Sequence, residues 1–209
     1  ADIAVDEQDR LYVLNAVDNL DDGYVEKNTI LRYFPDGRFD KVVAELPRTK
    51  EERLNEDRLI VSNISVEDGW VYFFMAEKGL GTSLFRLNGE TGIRERVLTM
   101  PTEERAISMC AAPDGRRYMT KLDGRVYTLQ PDGTTKAFPL PDLGPDAIFF
   151  PWDVEVDGSG NMYVSDIANQ VIAKIKPGTS IEPLFPKNWG DGKERVIAKS
   201  IWVNKNGYL

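Results

Sequence analysis

An all-β fold of repeated four-stranded sheets is what this sequence predicts, and three observations predict it. Five tyrosines, Tyr12, Tyr72, Tyr118, Tyr163 and Tyr208, recur at separations of 60, 46, 45 and 45 residues. Each follows a short alternating strand and a polar turn. After each of the first four come two further strands bounded by Gly, Pro, Asn or Asp. A repeat near 45 residues is the length of one four-stranded propeller blade. The chain therefore reads as one β-propeller domain of antiparallel blades, a partial ring. Four blades are complete, over about 1–47, 59–101, 105–141 and 150–186, and a fifth begins over 197–209.

The elements justify themselves in order. First strands are short and alternating: Ile3-Ala4-Val5, Ile64-Ser65-Val66, Met109-Cys110-Ala111, Val154-Glu155-Val156 and Ile201-Trp202-Val203. Period-two patterning followed by Asp, Asn and Gly predicts a hairpin. The second strand carries the tyrosine, as in Leu11-Tyr12-Val13-Leu14 and Met162-Tyr163-Val164-Ser165. Third strands follow at Thr29 to Phe34, Ser83 to Leu87, Arg125 to Leu129 and Val171 to Ile175. They end in turns such as Pro35-Asp36-Gly37 and Pro131-Asp132-Gly133, where Pro presets φ and Gly accepts its positive value. A more polar fourth strand closes each unit, near Asp40–Ala44, Glu95–Thr99, Thr135–Pro139 and Ile181–Phe185. Such strands suit an outer blade edge, where polarity discourages edge-to-edge pairing.

Three segments break the period. Residues 15–28 are expected to lengthen the loop between the second and third strands of the first unit. Residues 48–58, rich in helix formers and mixed charge, lengthen the link to the second unit. Residues 187–198, containing Trp189-Gly190-Asp191-Gly192, link the fourth and fifth. Long loops on a rigid scaffold are where binding concentrates.

Composition narrows the chemistry. Lys and Arg number 26 against 34 Asp and Glu, for a net charge of -8, which argues against nucleic acid as a partner. The chain contains no His, which excludes a Ser-His-Asp triad, a His acid/base and a His-ligated zinc within it. A single cysteine, Cys110, lies in the apolar run Met109-Cys110-Ala111-Ala112 and reads as a small core residue. No run approaches the roughly 18 apolar residues that span a membrane. Membrane attachment would come only through segments outside this chain. Ala1 in place of an initiating Met points to removal of an upstream segment.

The units resemble NHL repeats. The likeness is carried by Pro151-Trp152-Asp153-Val154-Glu155-Val156-Asp157, by Asn161-Met162-Tyr163-Val164-Ser165-Asp166, and by Asn169-Gln170-Val171-Ile172. The first unit keeps Ile3-Ala4-Val5-Asp6 and Leu11-Tyr12-Val13, with Asn15 near the signature Asp; the second and third lose most of the polar signature. The resemblance implies the six-bladed propeller fold of the TolB-like and gluconolactonase-like superfamily. NHL propellers are mostly binding platforms. The gluconolactonase-like relatives are metal-dependent hydrolases.

Three constellations could carry function. Aligned first strands put Asp2, Asn63, Ser108, Asp153 and Ser200 at one repeat position, which in a propeller lies at the channel mouth. Their oxygens suit a hard cation of the Ca²⁺ type, held among Asp2, Asn63 and Asp153; the alternative is a wet mouth that binds water. Asp18-Asn19-Leu20-Asp21-Asp22-Gly23 is similar to a calcium loop, but Leu20 stands at a ligand position and Thr29 where the bidentate Glu belongs. Phe149, Phe150, Trp152, Trp189 and Trp202 are aromatic candidates, of which Phe150 and Trp202 read as core and Trp189 as exposed. Asp166 and Asn169 match the signature and read first as caps of a turn.

The expectation is a non-catalytic recognition propeller with no cofactor, binding a protein or an extended ligand through Asn63, Ser108, Trp152, Asp153, Asp166, Asn169 and Trp189. The alternative is a Ca²⁺-dependent lactonase- or esterase-like hydrolase. A third reading is a structural ectodomain of a larger membrane-attached protein. An extracytoplasmic location is favoured over a cytoplasmic one.

Overall fold

The computed structural model describes residues 2–18, 25–47, 61–77, 81–100, 106–140, 149–176, 181–184, 200–203 and 207. Sixteen strands form four sheets. Sheet one holds β1 (Asp2–Val5), β2 (Leu11–Asp18), β3 (Val25–Tyr33) and β4 (Phe39–Pro47). Sheet two holds β5 (Val61–Glu67), β6 (Trp70–Glu77), β7 (Gly81–Asn88) and β8 (Arg94–Thr99). Sheet three holds β9 (Ala106–Ala111), β10 (Arg117–Lys121), β11 (Arg125–Leu129) and β12 (Thr135–Ala137). Sheet four holds β13 (Pro151–Val156), β14 (Met162–Asp166), β15 (Val171–Ile175) and β16 (Ile181–Pro183). Every sheet is an antiparallel meander with its strands in sequence order, the blade unit of a propeller.

The tyrosine repeat maps onto one register. Tyr12 pairs with Ala4 and Arg32, Tyr72 with Ser65 and Arg86, Tyr118 with Cys110 and Thr128, and Tyr163 with Glu155 and Lys174. All four are buried. Tyr208 lies outside the described residues.

The chain divides into two compact units, Ala1–Arg105 and Ala106–Leu209. In the first unit, Tyr12, Leu14 and Ile30 of blade one pack with Ile64, Val71, Phe73, Phe85 and Leu87 of blade two. The Phe73 and Phe85 rings stack at 5.8 Å. In the second unit, Cys110, Tyr118 and Val126 pack with Val154, Met162, Val164 and Ile175. A smaller cluster sets Tyr163 and Ile172 against Ile201 and Val203. Alternation puts these residues on sheet faces, and stacking one sheet on the next removes them from water. Cys110 sits in such a core, where burial pushes its thiol well up.

Four features depart from the sequence expectation. Of the insertion over 15–28, the described residues 15–18 and 25–28 are strand rather than loop: Asn15 pairs with Thr29, Ala16 with Asn28 and Val17 with Lys27; positions 19–24 lie outside the described residues. The outer strand of blade one is less polar than expected, since β4 exposes Phe39 (55%) and Val42 (47%). Trp202, expected in the core, is exposed between buried Ile201 and Val203. Residues 200–203 carry no strand assignment, although the first strand of a fifth blade was expected there.

Candidate functional site

The first strand of three blades is bulged near its start, at the same register in β9 and β13 and one residue further along in β5. In β5, Ile64 pairs with Phe73 and Ser62 with Phe74, which leaves Asn63 extra at φ 51. In β9, Ser108 pairs with Thr120 and Ala106 with Lys121, which leaves Ile107 extra. In β13, Asp153 pairs with Ser165 and Pro151 with Asp166, which leaves Trp152 extra. A bulge bends its strand and re-aims the side chain next to it, and such features gather at functional rims. The aligned polar position therefore sits at, or directly after, each bulge.

The aspartates of that position tie successive repeats together. Asp2 accepts the Ile64 N–H through Oδ2 at 2.8 Å. Asp153 does the same for Ile201, through Oδ2 at 2.7 Å. Ile64 and Ile201 each follow the aligned polar residue of the next repeat, so both carboxylates form one device, a clasp from a first strand to the start of the next repeat. Asp153 Oδ1 also accepts the Val154 N–H at 2.9 Å and the Ser108 hydroxyl. The Asp153 N–H donates to Ser165 Oγ at 2.9 Å, and Thr120 Oγ1 donates to the Trp152 carbonyl at 2.8 Å. Ser108, Thr120, Asp153 and Ser165 are all buried. A buried carboxylate tolerates the loss of water when its lone pairs are taken up in this way.

Beside this network lies an aromatic corner. Trp152, Phe149 and Phe150 are half-buried. Phe150 lies against the β10–β11 turn, where a Cβ on Gly124 (φ +77) would stand 3.4 Å from its ring. Leu122 of that turn is exposed. Asp166 fixes the approach: its Oδ1 accepts the N–H groups of Phe150 (3.1 Å), Ala168 (3.0 Å) and Asn169 (3.2 Å). Asn169 Nδ2 donates to Asp166 Oδ2 at 2.5 Å. Asp166 and Asn169 thus cap the β14–β15 turn, as the residue types imply.

The residues picked out from sequence are distributed as follows. Asp2 and Asn63 belong to the first unit; Ser108, Trp152, Asp153, Asp166 and Asn169 belong to the second. Ser108 and Asp153 are brought into contact, and Trp152 adjoins them along β13. Trp189 and positions 19–24 of the acidic loop lie outside the described residues. Among the described residues, no group of three or more Cys, Asp or Glu side chains is set to hold a metal.

Two charged centres escaped sequence reasoning. Glu90, in the β7–β8 turn, accepts from Arg32 Nη1 (2.5 Å), Arg10 Nη1 (2.9 Å) and Lys41 Nζ (2.9 Å). Arg32, then Lys41, hold its carboxyl down at about 2. Lys121, at the end of β10, is buried with Nζ 2.8 Å from Thr135 Oγ1 and 4.0 Å from the centre of the Tyr127 ring. The sequence signal for Glu90 was faint: one acid in a turn, with its cationic partners in another blade. Lys121 could have been found by alignment, since it stands where blade four has Asp166.

No family model and no curated protein matches the chain. Solved structures do. A structural-genomics protein of unknown function from Bacteroides thetaiotaomicron superposes with a TM-score of 0.60 at 19% identity, over 87% of this chain and 46% of that one. A catalytically inactive virginiamycin B lyase from Staphylococcus aureus, solved with quinupristin, gives 0.52 at 16% identity, over 87% and 54%. A protein of unknown function from Bacteroides caccae gives 0.51 at 10% identity, over 88% and 58%. The chain spans about half the length of these proteins. Likeness at such low identity speaks to architecture alone, and what it shows is that this chain has the β-propeller fold.

Proposed function

We propose that this chain is part of a non-catalytic recognition propeller, of NHL-like kinship, that binds a protein or an extended ligand outside the cytoplasm. The observation that carries the reading is the aromatic corner of the second unit. The bulge re-aims β13 at Trp152, Phe149 and Phe150 flank it, and Leu122 is exposed on the turn that Phe150 packs against. Half-buried aromatics on a braced scaffold offer contact area at little ordering cost. Virginiamycin B lyase shares the fold, but fold likeness alone does not transfer an activity.

The competing reading is a Ca²⁺-dependent lactonase- or esterase-like hydrolase with its ion among Asp2, Asn63 and Asp153. Cation binding there would compete with the backbone N–H groups that Asp2 and Asp153 now serve, which favours recognition. Arrays of extended glycans and peptides, probed with wild type and with Trp152→Ala, test the proposal. Saturable binding, weakened about tenfold or more in the variant, is expected for a central aromatic anchor. Calcium-dependent turnover of aryl esters or lactones, abolished in a folded Asp153→Asn variant, would overturn it.

A further inference from the structure

We infer that Asp68 is a site of spontaneous chemical modification, the one Asp-Gly step among the described residues poised to isomerise to isoaspartate. In that reaction the nitrogen of the following residue attacks the side-chain carboxyl carbon. A C–N bond forms, water leaves, and a cyclic succinimide results. Water then reopens the ring at either carbonyl and returns aspartate or a chain routed through Cβ. Glycine at the next position offers least steric resistance, so every Asp-Gly and Asn-Gly step is a candidate on sequence alone.

The fold separates these steps. At Asp36, Asp114, Asp123 and Asp132 the following glycine nitrogen already donates to a carbonyl two residues before the acid, at 2.9–3.1 Å. The same four carboxylates each accept the N–H two residues on, which holds the side chain in an Asx turn away from the glycine. Asp157 is buried, with Oδ1 taken by Ser159 and Asn161 and Oδ2 by Asn161 and Tyr163. Asn88 directs Oδ1 to the N–H groups of Glu90 and Thr91, while the Gly89 N–H donates to Gly69 O at 2.9 Å. In each case attack requires breaking bonds at the nucleophile, the electrophile or both.

Asp68 differs on every count. It is exposed at the tip of the two-residue β5–β6 hairpin, with φ 49 at Asp68 and φ 75 at Gly69. Among the described residues, the Gly69 nitrogen donates no hydrogen bond and the Asp68 carboxylate accepts none. The turn, closed by the Glu67–Trp70 pair, is tied at its outer peptide groups by Asp68 N–H to Glu7 Oε1 (3.1 Å) and by Gly89 N–H to Gly69 O. The reacting atoms lie between those two ties.

Ageing of the whole protein in near-neutral buffer at body temperature, followed by peptide mapping with electron-transfer fragmentation, tests this. Isoaspartate is expected to accumulate at Asp68 several-fold faster than at Asp36, Asp114 or Asp132, and methyl acceptance by an isoaspartyl methyltransferase is expected to fall in Asp68→Glu. The same chain aged in urea supplies the reference, in which the Asp-Gly steps proceed at similar rates. Folding-dependent selectivity for Asp68 supports the inference. Equal rates across the sites in the folded protein, or protection of Asp68 relative to urea, would overturn it.

Discussion

Asp153 shows what one side chain can hold. Its carboxylate serves the Ser108 hydroxyl and the N–H groups of Val154 and Ile201, all in buried surroundings. Asp153→Ala strips the Ile201 N–H and the Ser108 hydroxyl of this acceptor and leaves Val154 N–H only Ser108 Oγ at 3.4 Å, so a loss of about 2–4 kcal/mol in urea unfolding is expected. Asp153→Asn keeps one accepting oxygen and should lose less. Glu90 gives a pH signature. Its carboxyl falls from the ordinary 4.5 to about 2 in the folded chain, so the unfolded state takes up the proton first. The stabilisation is full above 4.5 and fades as pH drops toward 2. Urea midpoints measured across that interval should fall more steeply for wild type than for Glu90→Gln. A background slope remains, because Asp36, Asp114, Asp132 and Asp157 are also held low. Residue types foretold the caps at Asp166 and Asn169, since Asx chemistry is local. They did not foretell the clasp at Asp2 and Asp153, whose partners lie 62 and 48 residues away.

Between elements, the blades of the first unit meet through a tyrosine and a glycine. A Cβ on Gly89 would stand 2.8 Å from Tyr12 Oη and 3.1 Å from Gly69 O. Gly89→Ala is therefore expected to cost about 1–3 kcal/mol. Part of that cost should vanish in a Tyr12→Phe background, a coupling that a double-mutant cycle in urea would read. The strands themselves were legible because alternation and turn chemistry are written within a few residues. Extension of the pair over 15–18 and 25–28 was not. Its strand residues include Asn15, Asp18, Lys27 and Asn28, polar types that read as loop, yet pairing with β2 and β4 satisfies the backbone of β3 on both sides.

For the whole molecule, the 45-residue spacing named the architecture, because each blade solves the same packing problem with the same residues. Ligand identity is written at no such period. It depends on which side chains a few loops present, and those positions follow no pattern. The net charge of -8 leads to a simple expectation: no retention on immobilised DNA at physiological salt.

The bulged first strands have an evolutionary corollary. An extra residue that faces no partner in the ladder is released from the alternation that constrains its neighbours. Asparagine, isoleucine and tryptophan occupy the three slots at 63, 107 and 152. Randomising codons 107 and 152 together should yield a library that still folds while its preferences diversify, whereas position 63, at φ 51, should accept chiefly Asn, Asp and Gly.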